Sequence, residues 1–235
     1  MKALEIDLVT LFPDYFTGPL KQSILKRAQQ KRRVDIRIHN LRDYTHDRHK
    51  TADDKPFGGG AGMLLKPEPI FECVEDIGKG GWVILLDPRG ERLTQKLAEK
   101  LRRKKRLIVI AGHYEGVDHR VHEHLVDQEI SVGDFITTGG EAPALCLVEA
   151  VIRLIPGVLG NRESLKDESF HQEMLEYPQY TRPRKFREWE VPEVLVSGHH
   201  REVEKWRQEA ARRMTVAQRP DLKRSIHFGQ TRRAS

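Results

Sequence analysis

The sequence predicts an α/β fold in which a mostly parallel β-sheet is flanked by helices. Residues 82–86 (WVILL) and 107–111 (LIVIA) are continuous apolar runs, typical of strands that are covered on both faces. A shorter strand is predicted at residues 130–132 (ISV), and helical segments separate the three runs. Strands that alternate with helices indicate a parallel sheet.

Two more strands are predicted near the N-terminus. Residues 3–12 are mostly apolar and stop at Pro13, and residues 34–38 alternate between apolar and polar side chains. Between them, residues 19–31 carry apolar side chains on one face and basic side chains on the other, which predicts a helix.

Apolar periodicity and the positions of prolines predict the remaining helices. The segment after residue 140 is largely apolar and closes at Pro156, which indicates a buried helix. A C-terminal segment has one apolar stripe opposite charged residues and is therefore amphipathic. The predicted helices are 67–77, 93–101, 117–126, 141–154 and 199–214.

The loops after the three apolar strands contain polar residues and glycines. Their sequences are DPRG from residue 87, GHYEG from residue 112 and SVGDFITTGG from residue 131. Ligands of open parallel sheets bind beyond the carboxyl ends of the strands, so we expect these loops to form one ligand site. Taken singly, each loop fits an ordinary tight turn equally well.

Residues 41–66 have no helix or strand pattern and combine several cations with four glycines. A structureless segment of this length inside a domain is usually functional or mobile, and an ordinary solvated loop is the alternative. The segment contains neither GK[ST] at the Walker spacing nor GxGxxG after a strand. The standard nucleotide cradles therefore have no support here.

Composition narrows the class of protein. The 41 Lys+Arg and 35 Asp+Glu give a formal charge of +6, which favours a polyanionic partner without requiring one. No apolar run approaches the ~20 residues that cross a bilayer, and the first residues lack the layout of a signal peptide. Only Cys73 and Cys146 occur, without CxxC. We therefore expect a cytoplasmic protein without disulfides or a thiolate zinc site.

The chain after Pro156 becomes irregular and more basic. In residues 177–186 (YPQYTRPRKF) aromatic and basic side chains alternate, which suits stacking and phosphate contacts on RNA. A linker anchored on the domain by its aromatic residues is the alternative. We predict a first domain at 1–160, a linker at 161–172 and a small, mainly helical domain at 173–235.

Three histidines lie close together in the sequence and are candidate metal ligands. His119 and His122 are spaced i,i+3, but His124 would point away from them on a helix. An exposed helix face is the favoured interpretation, and no metal site is predicted.

A dense series of motifs resembles one known family. They are HDRHKTADDKPFGGGAGMLLKPEPIF, LLDPRGERL, AGHYEGVDHR, SVGDFITTGGE, IPGVLGN, LEYPQYTRP and WEVPEVLVSGHH. In this order they are similar to the bacterial tRNA (guanine-N1)-methyltransferases, which modify the guanine 3′ to the anticodon. The resemblance runs from Ile6 to about Leu222.

The resemblance implies the fold of the SPOUT methyltransferases, in which the end of the parallel-sheet domain threads a loop and forms a deep trefoil knot. It also implies that three loops hold S-adenosylmethionine in this knot. The cofactor-binding residues carried over are Leu85, Leu86, Pro88, Gly112, Tyr114, Glu115, Val132, Gly133, Asp134, Phe135, Ile136, Thr137, Gly139, Gly140 and Pro143.

The resemblance further implies a homodimer with the active site between the subunits and tRNA as substrate, with no DNA or membrane partner. A dependence on Mg²⁺ is carried over by resemblance alone, because no metal-ligand spacing supports it. The residues expected at the RNA are Arg48, Asp53, Gly58, Gly59, Ser169 and Arg182.

The catalytic pair implied by the resemblance is an arginine and a carboxylate. The arginine directly precedes the leucine of LIPGVLG and is Arg153. The family's catalytic aspartate directly precedes Ser-Phe, where this chain has Glu168, with Asp167 before it. We expect Glu168 to act as the base, with Asp167 as the alternative. Without the resemblance, a helix end and a helix start would explain these residues equally well.

Two other functions fit parts of the sequence. The protein could be a related knotted methyltransferase that acts on another RNA guanine, although the glycine-rich loop with DRHKTADD argues against it. It could also be a basic RNA-binding protein without enzymatic activity, which would not bind S-adenosylmethionine.

Overall fold

The computed structural model describes residues 3–160, 168–170 and 173–222. The chain separates into two compact units, residues 1–160 and residues 161–235. The strands of the described residues are β1 Leu4–Thr10, β2 Val34–Asn40, β3 Asp53–Asp54, β4 Leu64–Leu65, β5 Trp82–Arg92, β6 Arg106–Ala111, β7 Gln128–Ser131, β8 Lys185–Phe186 and β9 Trp189–Glu190.

The described α-helices include the predicted ones, and most of them have bounds that differ from the prediction. They are α1 Asp14–Thr17, α2 Ser23–Gln30, α3 Pro67–Ile77, α4 Gln95–Leu101, α5 His119–His124, α6 Glu141–Ile152 and α7 His200–Gln218. The bounds of α3 are those predicted, with Pro67 in the first turn, where its missing N–H costs nothing. None of the described helices is long and apolar enough to cross a membrane.

The first unit is built on a five-stranded sheet with the order β2-β1-β6-β5-β7. All four neighbouring pairs are parallel, which confirms the predicted α/β fold with a parallel sheet flanked by helices. The carboxyl ends of β5, β6 and β7 therefore lie at one edge of the sheet, and their amino ends lie at the other.

The core explains why the predicted strands read as continuous apolar runs. Side chains of β6 point to both faces of the sheet, and the four residues 107–110 are at most 1% exposed. On α6, Leu147, Val148, Val151 and Ile152 are fully buried. Burial of each such side chain stabilises the fold by roughly 1.5–3 kcal/mol relative to exposure.

The predicted loop at residues 87–90 proves to be part of a strand. β5 continues to Arg92, and its pairing with β7 shifts register between Leu86 and Glu91. Gly90 makes the renewed pairing possible, because a Cβ there would lie 2.4 Å from the carbonyl carbon of Glu129. The DPRG segment is therefore an irregularity within β5. The pairing with β7 on both sides of this segment holds it at the edge of the sheet.

The prediction that residues 41–66 lack structure is also wrong in part. Leu41–Tyr44 form a 3₁₀ turn, and β3 pairs antiparallel with β4 through Asp53↔Leu65 and Asp54↔Leu64. The glycines lie in the connection between these strands, where Gly58 and Gly59 have φ of 86° and 81°. A short ladder that the apolar pattern did not show thus holds both ends of the glycine-rich loop.

The predicted helix at 19–31 is interrupted. Pro19–Lys21 form a 3₁₀ turn, and Gln22 is extended before α2 begins at Ser23. The 3₁₀ turn places the side chain of Leu20 in the core, where it is 6% exposed. The chain therefore changes direction at the point where this side chain is buried.

The second unit consists, in its described part, of a short hairpin, a 3₁₀ turn and a long helix. The hairpin pairs Lys185 with Glu190 across β8 and β9. On α7, Thr215 is fully buried, and its hydroxyl accepts a hydrogen bond from the backbone N–H of Leu175 at 2.9 Å. This bond attaches the irregular segment before the hairpin to the helix.

Candidate active site

A pocket lies at the carboxyl ends of β5, β6 and β7, as the sequence predicts for a ligand site of a parallel sheet. Three segments of the first unit form it: the irregular part of β5 and the loops that follow β6 and β7. Its lining consists of Leu86, Asp87, Pro88, Gly112, His113, Tyr114, Glu115, Gly116, Ile130, Ser131, Val132, Gly133, Phe135, Ile136, Thr137, Thr138, Gly139, Gly140 and Pro143.

The closest approach between two of these segments depends on Gly140. Its backbone N–H donates to the carbonyl of Gly112 at 2.6 Å, and Gly139 forms an antiparallel bridge with His113. A Cβ at position 140 would lie 2.8 Å from the Cα of Ala111, closer than real side chains come. A residue without a side chain is thus needed where the loop after β7 meets the end of β6.

Hydroxyl groups fix the same loop from within. The Ser131 hydroxyl donates to the carbonyl of Gly133 at 3.0 Å and accepts from its N–H at 3.2 Å. The Thr137 hydroxyl donates to the carbonyl of Gly139 at 2.8 Å. The loop therefore holds its shape through its own polar groups.

Charged and polar side chains support the DPRG segment within β5. Arg89 donates to Asp87 at 2.9 Å and to Nε2 of His122 at 2.9 Å. Because Nε2 accepts, Nδ1 carries the proton and donates to Glu129 at 2.7 Å. Burial alone would raise the pKa of Asp87, but the hydrogen bonds from Arg89 outweigh it and lower that pKa. Asp87 is thus an ionised, paired group that holds the segment in place.

Sequence reasoning missed a buried glutamate behind the pocket. Glu141 is 3% exposed, and its carboxylate accepts from the Thr10 hydroxyl at 2.8 Å and lies 3.5 Å from Nδ1 of His113. The bond joins the end of β1 to the first residue of α6. An acidic residue that opens an otherwise apolar helix was the available signal, because carboxylates are favoured at helix N-termini.

The pocket brings together all but two of the residues predicted to bind the cofactor. Leu85 points into the core and is 1% exposed. Asp134 is exposed and pairs with Arg92 instead of lining the pocket. The lining residues that were not predicted are Asp87, His113, Gly116, Ile130, Ser131 and Thr138.

The residues predicted to contact RNA are distributed over both units. Arg48 lies before β3 and Asp53 is the first residue of β3, whereas Gly58 and Gly59 lie exposed in the connection between β3 and β4. Two others belong to the second unit: Ser169, whose hydroxyl accepts from the N–H of Glu176 at 2.9 Å, and the exposed Arg182.

The residues predicted to be catalytic are not part of this pocket. Arg153 directly follows α6, a helix of 12 residues that is about 18 Å long at 1.5 Å per residue. The start of α6 lines the pocket, and Ile155 lies beside Leu4 at the amino edge of the sheet. Glu168 belongs to the second unit, and Asp167 lies outside the described residues.

Within the described residues, no group of three or more His, Cys, Asp or Glu side chains could hold a metal ion. His122 is engaged by Arg89 and Glu129, whereas His119 and His124 both lie near Glu123. The described part of the chain thus offers no oxygen cluster for Mg²⁺, and no chemical step is assigned to that ion.

Fold and pocket together define an α/β protein that binds a small ligand in loops at the carboxyl edge of a parallel sheet. The family is given by comparison with known proteins. A model of the tRNA (guanine-1)-methyltransferase TrmD family matches residues 4–225, and the chain belongs to this family. This confirms the resemblance found in the motifs and identifies a family of enzymes.

Curated relatives are similar over nearly their whole length. A tRNA (guanine-N(1)-)-methyltransferase of Dictyoglomus turgidum is 53% identical over 220 residues, covering 93% of this chain and 89% of that protein. The protein of the same name from Dehalococcoides mccartyi strain BAV1 is 50% identical over 234 residues, covering 98% and 94%. That of Geobacillus kaustophilus is 52% identical over 222 residues, covering 93% and 91%.

Proposed function

We propose that this protein transfers a methyl group from S-adenosylmethionine to N1 of the guanine 3′ to the anticodon, guanine 37, of tRNA. The family supports methylation of a tRNA guanine. The observation that carries the proposal is the pocket, which joins the three segments to which the resemblance assigns the cofactor. Because the proposed substrate is tRNA, we also propose that the protein is cytoplasmic.

The pocket suits S-adenosylmethionine in its chemistry. Leu86, Ile130 and Pro143 supply apolar surface for the adenine, and backbone groups and threonine hydroxyls supply polar contacts. The Glu115 carboxylate adds negative charge near a cationic ligand. When bound, the sulfonium makes the methyl group electrophilic.

We propose that the deep trefoil knot of the SPOUT fold is formed by the loop after β7. β5 lies between β6 and β7 in the sheet, yet the chain passes from the end of β7 to the end of β6. Gly140 then contacts Gly112, and Leu93, at the far end of β5, bonds to Ser131 at 2.7 Å. Because β5 is paired on both sides, the chain has to cross β5 to pass from β7 to β6. This crossing supports a threaded chain at this point.

Guanine N1 carries a proton and is a poor nucleophile, so the reaction needs a base and a cation. We assign Glu168 as the carboxylate that removes the N1 proton and Arg153 as the guanidinium that stabilises charge on O6. Asp167 stays the alternative base.

We propose a homodimer with the active site between the subunits, and the position of Arg153 supports it. Arg153 lies at the opposite end of α6 from the pocket of its own chain, so in this proposal a second subunit brings its Arg153 to the methyl group. The surface of α6 supports such an interface. Its incompletely buried residues form a stripe of small or apolar side chains with a single charge: Ala142, Leu145, Cys146, Glu149 and Ala150.

We assign the second unit to tRNA binding, with residues 161–172 as the linker before it. On its hairpin the rings of Phe186 and Trp189 are 57% and 65% exposed. The guanidinium of Arg187 lies 5.3 Å and 5.9 Å from the two ring centroids. Exposed aromatic rings beside a cation are suited to stacking on unpaired bases and to phosphate contact.

The direct test is methyl transfer to tRNA transcripts with labelled S-adenosylmethionine. We expect label in a transcript with guanine 37 and none in a transcript with adenine at that position. Label that persists in the adenine transcript would point to another RNA guanine as the target. If neither transcript is labelled and calorimetry detects no S-adenosylmethionine binding, the protein is a non-enzymatic RNA-binding protein.

The catalytic assignment predicts the effect of two substitutions. Arg153→Ala and Glu168→Gln should each lower the single-turnover rate by at least ~100-fold, the usual scale for a positioned acid/base or charge stabiliser. The matched control is Glu202→Gln on the exposed face of α7, which should leave the rate unchanged. If Asp167→Asn abolishes the reaction and Glu168→Gln does not, the base is Asp167.

A further inference from the structure

A basic groove lies at the amino edge of the sheet, opposite the cofactor pocket. It is formed where β1, β2 and β6 begin, at the end of α4 and after α6. Its volume is about 390 Å³, which is room for several water molecules and therefore for a hydrated anion. Its lining consists of Ala3, Leu4, Arg33, Arg102, Arg103, Lys104, Lys105, Ile155 and Pro156.

The charge of the groove is not neutralised by the first unit. The lining contains five cations and no carboxylate. Among the described residues, no carboxylate lies within ion-pair distance of Arg33, Arg103 or Lys105. The next residue, Arg106, differs: it donates to Asp7 at 2.7 Å and to the carbonyl of Ile77 at 2.8 Å. Lys104 also has a partner, because its ammonium lies 3.3 Å from the centroid of the Trp82 ring. The fold thus pairs Arg106 with a carboxylate and leaves Arg103 and Lys105 exposed.

The dipole of α4 accounts for only some of the five cations that line the groove. Arg102 and Arg103 follow the C-terminus of α4, where cations are favoured. Arg33 comes from a different place in the chain, the residue before β2. Its guanidinium lies close to Gly157, where a Cβ would be 3.2 Å from Nη2. Two sequence-distant segments therefore bring cations to the same groove.

We propose that this basic groove, defined by the nine lining residues, binds phosphates of the tRNA strand that carries the target guanine. The proposal rests on the proposed function, because Ile155 and Pro156 place the groove two and three residues after Arg153. An arginine that acts on the guanine base needs the backbone of the same nucleotide strand nearby. A concave cationic surface without carboxylates is complementary to that backbone.

The test compares two triple variants with the same change of net charge. The groove variant is Arg33→Gln/Arg103→Gln/Lys105→Gln. The control variant is Lys21→Gln/Lys26→Gln/Lys96→Gln, which changes exposed lysines on other parts of the first unit. Filter binding to tRNA between 50 and 300 mM KCl gives the dissociation constant and its salt dependence, and steady-state kinetics gives KM and kcat.

We expect the groove variant to bind tRNA at least ~10-fold more weakly at low salt and its log–log salt slope to be smaller by about 2 to 3, since each lost phosphate contact removes about 0.9. KM for tRNA should rise, with kcat little changed. The control variant should stay within about threefold of the wild type.

Two results would overturn the proposal: equal losses in both triple variants, or an unchanged salt slope in the groove variant. Calorimetry of S-adenosylmethionine binding, expected to be unchanged, checks that the variant is folded. These results are distinguishable from a failure of the proposed function. If the proposed function is wrong, the wild-type protein itself will show no methyl transfer.

Discussion

Asp7 is a fully buried carboxylate on the central part of the sheet, and it is surrounded by cations. Its oxygens accept from His39 at 2.8 Å and from Arg106 at 2.7 Å, and Arg37 lies 3.5 Å away. Burial by itself would raise the pKa of Asp7, but the hydrogen bonds from His39 and Arg106 hold that pKa below its ordinary value of 3.8. This charge therefore stabilises the fold while it is ionised.

We predict that Asp7→Asn lowers the free energy of unfolding by about 3 kcal/mol at pH 7, because the guanidinium of Arg106 loses its carboxylate at 2.7 Å and keeps only Glu5 at 3.9 Å. The sign of the pH dependence follows from the lowered pKa. The contribution of Asp7 is fully present above pH 3.8 and is lost as the pH falls through its folded-state pKa. Urea unfolding at pH 7 and pH 3 should show a difference between wild type and variant that shrinks in acid.

The matched control for this prediction is Asp118→Asn. Asp118 also has a lowered pKa, first because of the hydrogen bond from Arg120, but that arginine is 60% exposed. An ion pair with an exposed arginine contributes little to stability, because solvent screens it. If both substitutions cost the same, the burial of Asp7 has no energetic consequence.

At the scale of elements, the loop after β7 and the helix α6 form one structural unit. Gly140 ends the loop and immediately precedes α6, and its N–H donates to Gly112. The helix then packs Leu147 and Val151 into the core. Any shift of the loop would therefore displace the first turn of a buried helix, so the shape of the pocket depends on this packing.

We predict that Gly140→Ala lowers the affinity for S-adenosylmethionine at least ~10-fold. The new methyl group would lie 2.8 Å from the Cα of Ala111, and overpacking against backbone costs about 1–3 kcal/mol. Calorimetry with the ligand and a thermal melt measure the two effects. Gly18→Ala is the control, because a Cβ there meets nothing within 4 Å. Wild-type affinity in Gly140→Ala would show that the contact with β6 does not shape the pocket.

Sequence patterns predicted the long elements well and the irregular ones poorly. The apolar runs of β5 and β6 and the proline at the start of α3 are local signals, and the structure has these elements where expected. The continuation of β5 through residues 87–90 could not be read from DPRG, since it depends on pairing with β7. The β3–β4 ladder was missed because two residues are too few to show alternation.

At the scale of the whole molecule, we propose that two chains together complete the active site. α6 carries the pocket at one end and Arg153 at the other, and its outer face is nearly free of charge. Such a face is typical of an interface between identical subunits. In the proposed dimer, α6 of one subunit brings its Arg153 to the pocket of the other.

We predict that Cys146→Arg makes the protein monomeric at micromolar concentration and abolishes methyl transfer. Cys146 is exposed in the single chain and lies on the outer face of α6, so an arginine there would be buried unpaired in the proposed interface. Sedimentation velocity measures the change in mass. Gln30→Arg, on an exposed position of α2, is the control and should stay dimeric. A dimer that persists in Cys146→Arg would exclude α6 as the interface.

The candidate site likewise has some features that contiguous residues predict and others that depend on residues far apart in the chain. The place of the proposed cofactor site was predictable, because the sequence marks the strands beside it and because parallel strands end at one edge of the sheet. The pairing of Glu141 with Thr10 was not, since 131 positions separate the two residues. The basic groove was not predictable either, because Arg33 meets residues 102–105 only through the neighbouring positions of β2, β1 and β6.

By itself the sequence determined the class of fold, the strand-end loops and the family, because apolar runs and motifs are properties of contiguous residues. The tertiary structure decided which charges are paired and which are left to solvent. Asp7 binds Arg106 across adjacent strands, whereas Arg33, Arg103 and Lys105 face an open groove. The physical reason is that a charge is neutralised by what lies within a few ångströms in space, and strand order sets that neighbourhood.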